Sequence, residues 1–333
     1  MSEIGIAWDA LRAERRPEAG WHLRRIHPEA PCEILAGIHQ PDGTPGLIVE
    51  VDAASVASTI RMPKSAGFRL DTVLHGHSHS GRVRVTLSLA HPAYATVFAV
   101  LGADTAACAA TELDERSALS SFVGRLHVWQ AFMARHGPDG LSESAVIGLM
   151  GELHILGDYV TPALGLEQAL AAWSGPRGET NDFTLAGGFL EVKATARQAP
   201  EAVMISSADQ LDISRGRILL AHLRFRISPN GATLPEMVET MRMRLATEAP
   251  ASMSAFATLL LSAGYVDAHA ENYVVRMMLD AIQIYEVGAG FPHVARGELR
   301  AGVLDCTYAV GLDACAPWAA SDEALSSLMQ AGA

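Results

Sequence analysis

Two strand-like runs, Asn181-Asp182-Phe183-Thr184-Leu185-Ala186 and Phe189-Leu190-Glu191-Val192-Lys193-Ala194, flank the pair Gly187-Gly188. Apolar and polar side chains alternate in both runs, and two glycines between such runs signal a tight primed turn. A hairpin turning at Gly187-Gly188 sets Ala186 opposite Phe189, Thr184 opposite Glu191 and Asp182 opposite Lys193. Asp182, Thr184, Glu191 and Lys193 then share one face, expected to be wet, while Phe183, Leu185, Leu190 and Val192 supply a buried one. Cross-strand neighbours lie ~5 Å apart at Cβ, so two carboxylates and an ammonium converge on a volume suited to a hard divalent cation with oxygen ligands. The same letters also describe an ordinary surface ion pair between Asp182 and Lys193. Spacing alone leaves both readings open.

Flanking segments add candidates. Ser142 can cap a helix through Val146, Ile147, Leu149, Met150, Leu153 and Leu156. Glu152 lies within it, its helical neighbours Gly148, Leu149, Ile155 and Leu156 all uncharged, so its carboxylate needs a metal, a basic partner or a route to solvent. Downstream, Ser207 can cap a short helix, Ala208 to Asp212, that presents Gln210 near the same edge before the apolar strand Arg217 to Leu223. Arg197, Arg215, Arg217, Arg224 and Arg226 lie close by in sequence and can grip phosphates, or can simply decorate an exposed edge strand.

These residues need elements to hold them, and the chain has the material. Its 333 residues are 49% hydrophobic and 19% charged, enough for two or three packed domains. Strand-like alternation at 46–51, 82–89 and 95–101 predicts a β-rich domain over residues 1–112. A helical connector over 113–140 follows, broken by Gly137-Pro138-Asp139-Gly140. Residues 141–229 read as an α/β core carrying the candidate site. Residues 230–333 read as an α/β segment, with helices over 234–245 and 251–263 and strands over 273–277 and 303–310. The fold class expected is α/β, α+β overall.

The longest apolar stretch noticed, Ser254 to Val266, is broken by Ser262 and Gly264, so no membrane span is expected. The opening Met1-Ser2-Glu3-Ile4-Gly5 lacks a basic and apolar leader, which points to the cytoplasm. Cys32, Cys108, Cys306 and Cys315 form no C-x-x-C pair and read as reduced, mostly buried thiols. A net charge of −12 argues against coating nucleic acid by bulk electrostatics. His75-Gly76-His77-Ser78-His79 can hold zinc if extended, though a polar loop explains the same letters. No phosphate-cradling glycine loop is present, so no nucleotide site is expected.

Glu152 on a helix, Asp182, Glu191-Val192-Lys193 on the next strand and Gln210 opening a second helix together resemble the PD-(D/E)XK nuclease superfamily. More narrowly, Ala172-Trp173-Ser174-Gly175-Pro176, Ser206-Ser207-Ala208-Asp209-Gln210-Leu211-Asp212, Gly290-Phe291-Pro292 and Cys306-Thr307-Tyr308 resemble the bacterial PD-(D/E)XK motif protein family over most of the chain. The resemblance implies a restriction-endonuclease-like core, a mixed central sheet flanked by helices. It implies a Mg²⁺ site, with Mn²⁺ able to substitute, at Asp182, Glu191, the Val192 carbonyl and Glu152. Lys193 would orient the attacking water, and DNA phosphodiester hydrolysis would be the reaction. It also implies a setting in restriction or phage defence, beside ATPase subunits and a DNA methyltransferase, and leaves self-association open. The rival is a silent subunit that keeps the fold to bind DNA or a partner. One departure is visible: Asn181 stands where the motif has proline, which is read as removing only a backbone constraint.

Overall fold

The computed structural model describes residues 2–14, 18–56, 61–75, 81–196 and 202–330, and the chain divides into two units, Met1–Gly140 and Leu141–Ala333. In the first, β1 (Gly20–Ile26), β2 (Glu33–Gln40), β3 (Thr44–Asp52), β4 (Phe68–His75) and β5 (Arg82–Leu89) form an antiparallel sheet in the order β1-β2-β3-β5-β4. Helices α1 (Glu3–Ala13), α2 (Ala95–Ala110) and α3 (Glu115–Arg135) belong to the same unit, α1 and α3 packing on the sheet. The expected strand at 95–101 is instead the start of α2. Pro92 opens a 3-10 turn that runs into the helix, and Val97, Phe98, Leu101, Thr105, Ala106 and Ala109 are buried at helical spacing. Pro92–Ala110 is long and apolar enough to cross a membrane by length and composition, and one stripe of it, including Val97, Phe98 and Leu101, is buried in the unit's core.

The second unit opens with α4 (Glu143–Ile155), capped as expected by Ser142, whose hydroxyl accepts the Ala145 N–H at 3.3 Å. Short helices α5 (Thr161–Leu164) and α6 (Leu166–Ala172) lead into β6 (Phe183–Leu185), β7 (Gly188–Thr195), β8 (Ala202–Ile205) and the long β9 (Ile218–Ala232). Then come α7 (Leu234–Glu248), α8 (Met253–Ser262), β10 (Met277–Val287), β11 (Tyr308–Gly311), β12 (Ala319–Ala320) and α9 (Asp322–Met329). The main sheet runs β12-β10-β9-β7-β6, with β7 and β9 parallel and the other pairs antiparallel. This is the mixed central sheet flanked by helices that was expected. β9 continues unbroken through residues 229 and 230, and β10 makes the segment after it part of the same sheet.

Both expected strands of this segment begin later: that at 273–277 is replaced by the longer β10 from Met277, and that at 303–310 is reduced to β11 from Tyr308. Residues 273–276 precede β10, with Tyr273 buried and its hydroxyl accepting the Leu141 N–H at 2.9 Å. Val303 and Leu304 lie exposed before β11. All four cysteines are free; Cys32 and Cys315 are buried, while Cys108 and Cys306 are only half-buried.

The hairpin register differs from the expected one. Phe183 faces Leu190, Thr184 faces Phe189 and Leu185 faces Gly188, so Ala186-Gly187 makes the turn and Gly188 is already strand. A Cβ on Gly188 would lie 2.2 Å from the Arg217 carbonyl oxygen, and its φ of +142° suits glycine alone. Pairing with β9 therefore claims Gly188 for the sheet. The slip is one residue on each strand, so Asp182 still shares a face with Glu191 and Lys193.

The sheet is covered on both faces. Phe183, Leu185, Leu190, Val192, Leu219 and Leu223 pack with α4, α6, α7 and α8 in one core. Ile218, Leu220, Tyr285 and Val287 pack on the other side with Val203, Ile205 and Val310 of the two-stranded β8–β11 sheet. The face expected to be wet is roofed over at Glu191, which is 0% exposed, while Asp182 and Lys193 are half-buried and Thr184 stays exposed.

Candidate active site

Glu152 reaches the site because α4 packs close on β7: a Cβ on Gly151 would come within 2.8 Å of the Ala194 methyl. Its Oε2 accepts the indole N–H of the fully buried Trp173 at 2.7 Å, which aims the carboxylate. The next two residues hold Asp182. The backbone N–H groups of Ser174 and Gly175 donate to the Asp182 carbonyl at 2.8 and 3.0 Å. Asp182 Oδ2 accepts the Val192 N–H at 2.7 Å. In a strand the N–H and C=O of one residue point to the same edge, so the Val192 carbonyl also opens toward Asp182.

Gly175 leaves the space between the two acids clear. A Cβ there would stand 2.9 Å from Asp182 Oδ1 and 3.5 Å from Glu152 Oε2. Both oxygens border one small cradle that a methyl group would fill.

Behind it, Lys193 Nζ lies 2.8 Å from Glu191 Oε1 and donates to Gln210 Oε1 at 3.4 Å. Gln210 is held by its own acceptor contact with the Ser206 N–H at 2.8 Å, on a 3-10 turn, Ala208–Leu211, capped by Ser207. Lys193 thus meets Glu191 instead of making the Asp182 ion pair that the sequence also allowed. Glu191 Oε2 accepts from Asn181 Nδ2 at 3.1 Å. The structure therefore brings Glu152, Asp182, Glu191, Lys193 and Gln210 into one cluster. Sequence reading passed over the work of Trp173, Gly175 and Asn181, although Trp173-Ser174-Gly175-Pro176 was legible as a conspicuous run.

Electrostatics mark the same place. Burial first, then the Asp182 charge, raises the Glu152 carboxyl well above the ordinary range, with the Trp173 hydrogen bond opposing. Burial and Asp182 push Glu191 up to about 8, against the pull of Lys193. Burial also raises Asp182, opposed by Lys193 and the Val192 N–H. The buried Glu191 and the half-buried Glu152 and Asp182 face one ammonium, an excess of acid that a dication would neutralise. Among the described residues no three His, Cys, Asp or Glu side chains close into a cage. The cradle over Gly175, the Val192 carbonyl and the excess charge fit a hard divalent cation.

The nearby arginines separate into two kinds. Arg217 pairs with Glu286 at 2.8 Å, and Arg224 and Arg226 meet Asp280 at 3.0 and 3.6 Å. β9 is a central strand, so they do not decorate a free edge. Arg215 has no carboxylate partner among the described residues and sits by Asn181. Arg197 lies outside the described residues. So do His77 and His79 of the histidine run, of which His75 ends β4.

A family model described as "Putative PD-(D/E)XK family member, (DUF4420)" matches residues 4–313. The chain belongs to that family. The match takes in both units and every residue of the cluster. No curated protein and no solved structure matches the chain. For a PD-(D/E)XK protein, nuclease-like chemistry with divalent metal is the family-level expectation.

The cradle gives a direct test. Gly175→Ala places a methyl 3.2 Å from the Asp182 Cα, so the aspartate backbone must move. Misplacement of a reacting group by about 1 Å costs up to about 10²-fold in rate. The contact demands a smaller shift, a few tenths of an ångström, so single-turnover cleavage is expected to fall by roughly ten-fold, and a wild-type rate would show that Asp182 need not be held there.

Proposed function

We propose that the protein is a Mg²⁺-dependent DNA endonuclease subunit of a bacterial restriction or phage-defence system, with Mn²⁺ able to substitute. The observation that carries this is the convergence of Glu152, Asp182 and the fully buried Glu191 on Lys193 alone, around the cradle left by Gly175. Asp182, Glu191, the Val192 carbonyl and Glu152, directly or through water, would hold the cation. Bound there, it would polarise the scissile phosphate and neutralise charge building on its oxygens.

The chain's own groups do the rest. Lys193 orients the attacking water, and its positive charge favours the hydroxide that the water becomes, with Gln210 and Glu191 steadying Nζ. Trp173 keeps the Glu152 carboxylate turned into the site. The water oxygen bonds to phosphorus as its proton passes to solvent, one ester P–O bond breaks, and the leaving oxygen takes a proton from a solvent water. A subunit kept only for its fold would have no chemical reason to keep three acids converging on one lysine, one of them fully buried.

Charge supports a dependent enzyme. A chain at −12 repels DNA at long range, and its other site-proximal arginines among the described residues, Arg217, Arg224 and Arg226, are paired with carboxylates. ATPase partners that deliver DNA, a companion DNA methyltransferase and a cytoplasmic setting complete the proposal. Plasmid DNA with Mg²⁺ or Mn²⁺ at about 150 mM salt tests it, since screening there is physiological. Slow cutting by the lone protein and faster cutting with its neighbouring gene products are expected. No cutting under either condition would remove the endonuclease reading, and rapid autonomous cutting would remove the partner requirement.

A further inference from the structure

Asn181, in the place of the motif proline, makes side-chain hydrogen bonds that no proline could. It is 1% exposed. Its Nδ2 donates to Glu191 Oε2 at 3.1 Å and to the Gln210 carbonyl at 2.8 Å. Its Oδ1 accepts from Arg215 Nη1 at 2.9 Å. Because a guanidinium only donates, this contact fixes which way the amide faces. Arg215 Nη1 also donates to the Asp209 carbonyl at 3.0 Å, and the guanidinium carbon sits 4.7 Å from the centroid of the Phe189 ring. The Asp209 carboxylate is already committed to Arg296 at 2.6 Å.

Arg215 is therefore oriented through one nitrogen and one stacked face, while its other donors carry no protein hydrogen bond among the described residues. A planar fork held this way, beside a cluster of acids and in no direct ion pair with a carboxylate among the described residues, is suited to bidentate contact with phosphate. We infer that Arg215 binds a backbone phosphate of the DNA next to the scissile one, and that Asn181 is the positioning residue that sets Arg215 relative to Glu191. The inference rests on the endonuclease reading. It gives the departure from the family motif a purpose: one amide ties a proposed metal-binding carboxylate, the Gln210 turn and the phosphate contact into one rigid unit.

The test is equilibrium binding of a fluorescent 30-base-pair DNA duplex with Ca²⁺ as the only divalent cation, read by anisotropy across a salt series. Each phosphate neutralised contributes about 0.9 to the slope of log affinity against log salt. Arg215→Gln is expected to lower that slope by about one and weaken binding roughly ten-fold. Arg215→Lys keeps the charge and hence the slope, but loses the fork, and its single-turnover Mg²⁺ cleavage is expected to fall roughly ten-fold. Asn181→Ala keeps the slope and is likewise expected to cut more slowly, because the charge remains and only its position is released. A wild-type slope and affinity in Arg215→Gln would overturn the phosphate contact while leaving the endonuclease reading intact. Failure of the wild type to bind DNA even at low salt would overturn both.

Discussion

Lys193→Met and Glu191→Gln are each expected to lower the proposed Mg²⁺-dependent DNA cleavage by about 10³-fold or more, the scale of losing one charge-stabilising group at a reacting centre. Their effects on stability without metal are expected to oppose one another. Removing Lys193 strips the buried acids of their ammonium, a loss of about 3 kcal/mol and roughly 10 °C in melting temperature for a unit of this size. Removing the Glu191 charge relieves the site instead. Its folded-state carboxyl titrates at about 8, against an ordinary 4.5. Between those pH values the folded state holds a proton that the unfolded state has released, so wild-type stability falls as pH rises through that window. The advantage of Glu191→Gln should be absent below about pH 4.5, grow toward pH 8 and then level off. Thermal melts in chelator from pH 4 to 9 check this. Parallel pH curves for wild type and variant would show that Glu191 is not a strained acid, whatever the cleavage assay gives.

Gly188→Ala is expected to lower stability by at least about 3 kcal/mol, the upper end of the cost of a strained backbone position with a clash added to it. The new methyl would stand 2.2 Å from the Arg217 carbonyl oxygen, at a backbone φ of +142°. Backbone atoms cannot yield as a side-chain tip would. The strand must retreat from β9 just where Phe189 N–H donates to that same Arg217 carbonyl at 2.9 Å. Glu191 and Lys193 lie on this strand opposite Leu220 and His222, so their placement goes with it. Chemical denaturation of wild type and variant measures the loss. A difference under about 1 kcal/mol would mean that the β7–β9 register is not fixed at Gly188.

The candidate site was legible where its logic is local. Period-two alternation put Asp182, Glu191 and Lys193 on one face, and a slip of one residue on each strand could not undo that parity. Ser142 announced α4 because a cap needs only a hydroxyl three residues ahead of an N–H, and the apolar neighbours of Glu152 already implied a carboxylate in trouble. The same locality misled at residues 95–101, where a β-branched and aromatic run belongs to a helix whose buried stripe shows only when read on to Ala109. Tertiary structure alone decided whether the acidic face is wet. Its roof pairs Ile205 with Tyr308 and Val203 with Val310, residues about a hundred positions apart, and no window around Glu191 contains them. The turn at Ala186-Gly187 was chosen by the Arg217 carbonyl from another strand, and Asn181 acquired its role only when Gln210 and Arg215 came to meet it. Side-chain parity and capping follow from backbone geometry within a few residues, whereas burial, and with it the raised carboxyls that define the site, arises from chain segments that meet only on folding.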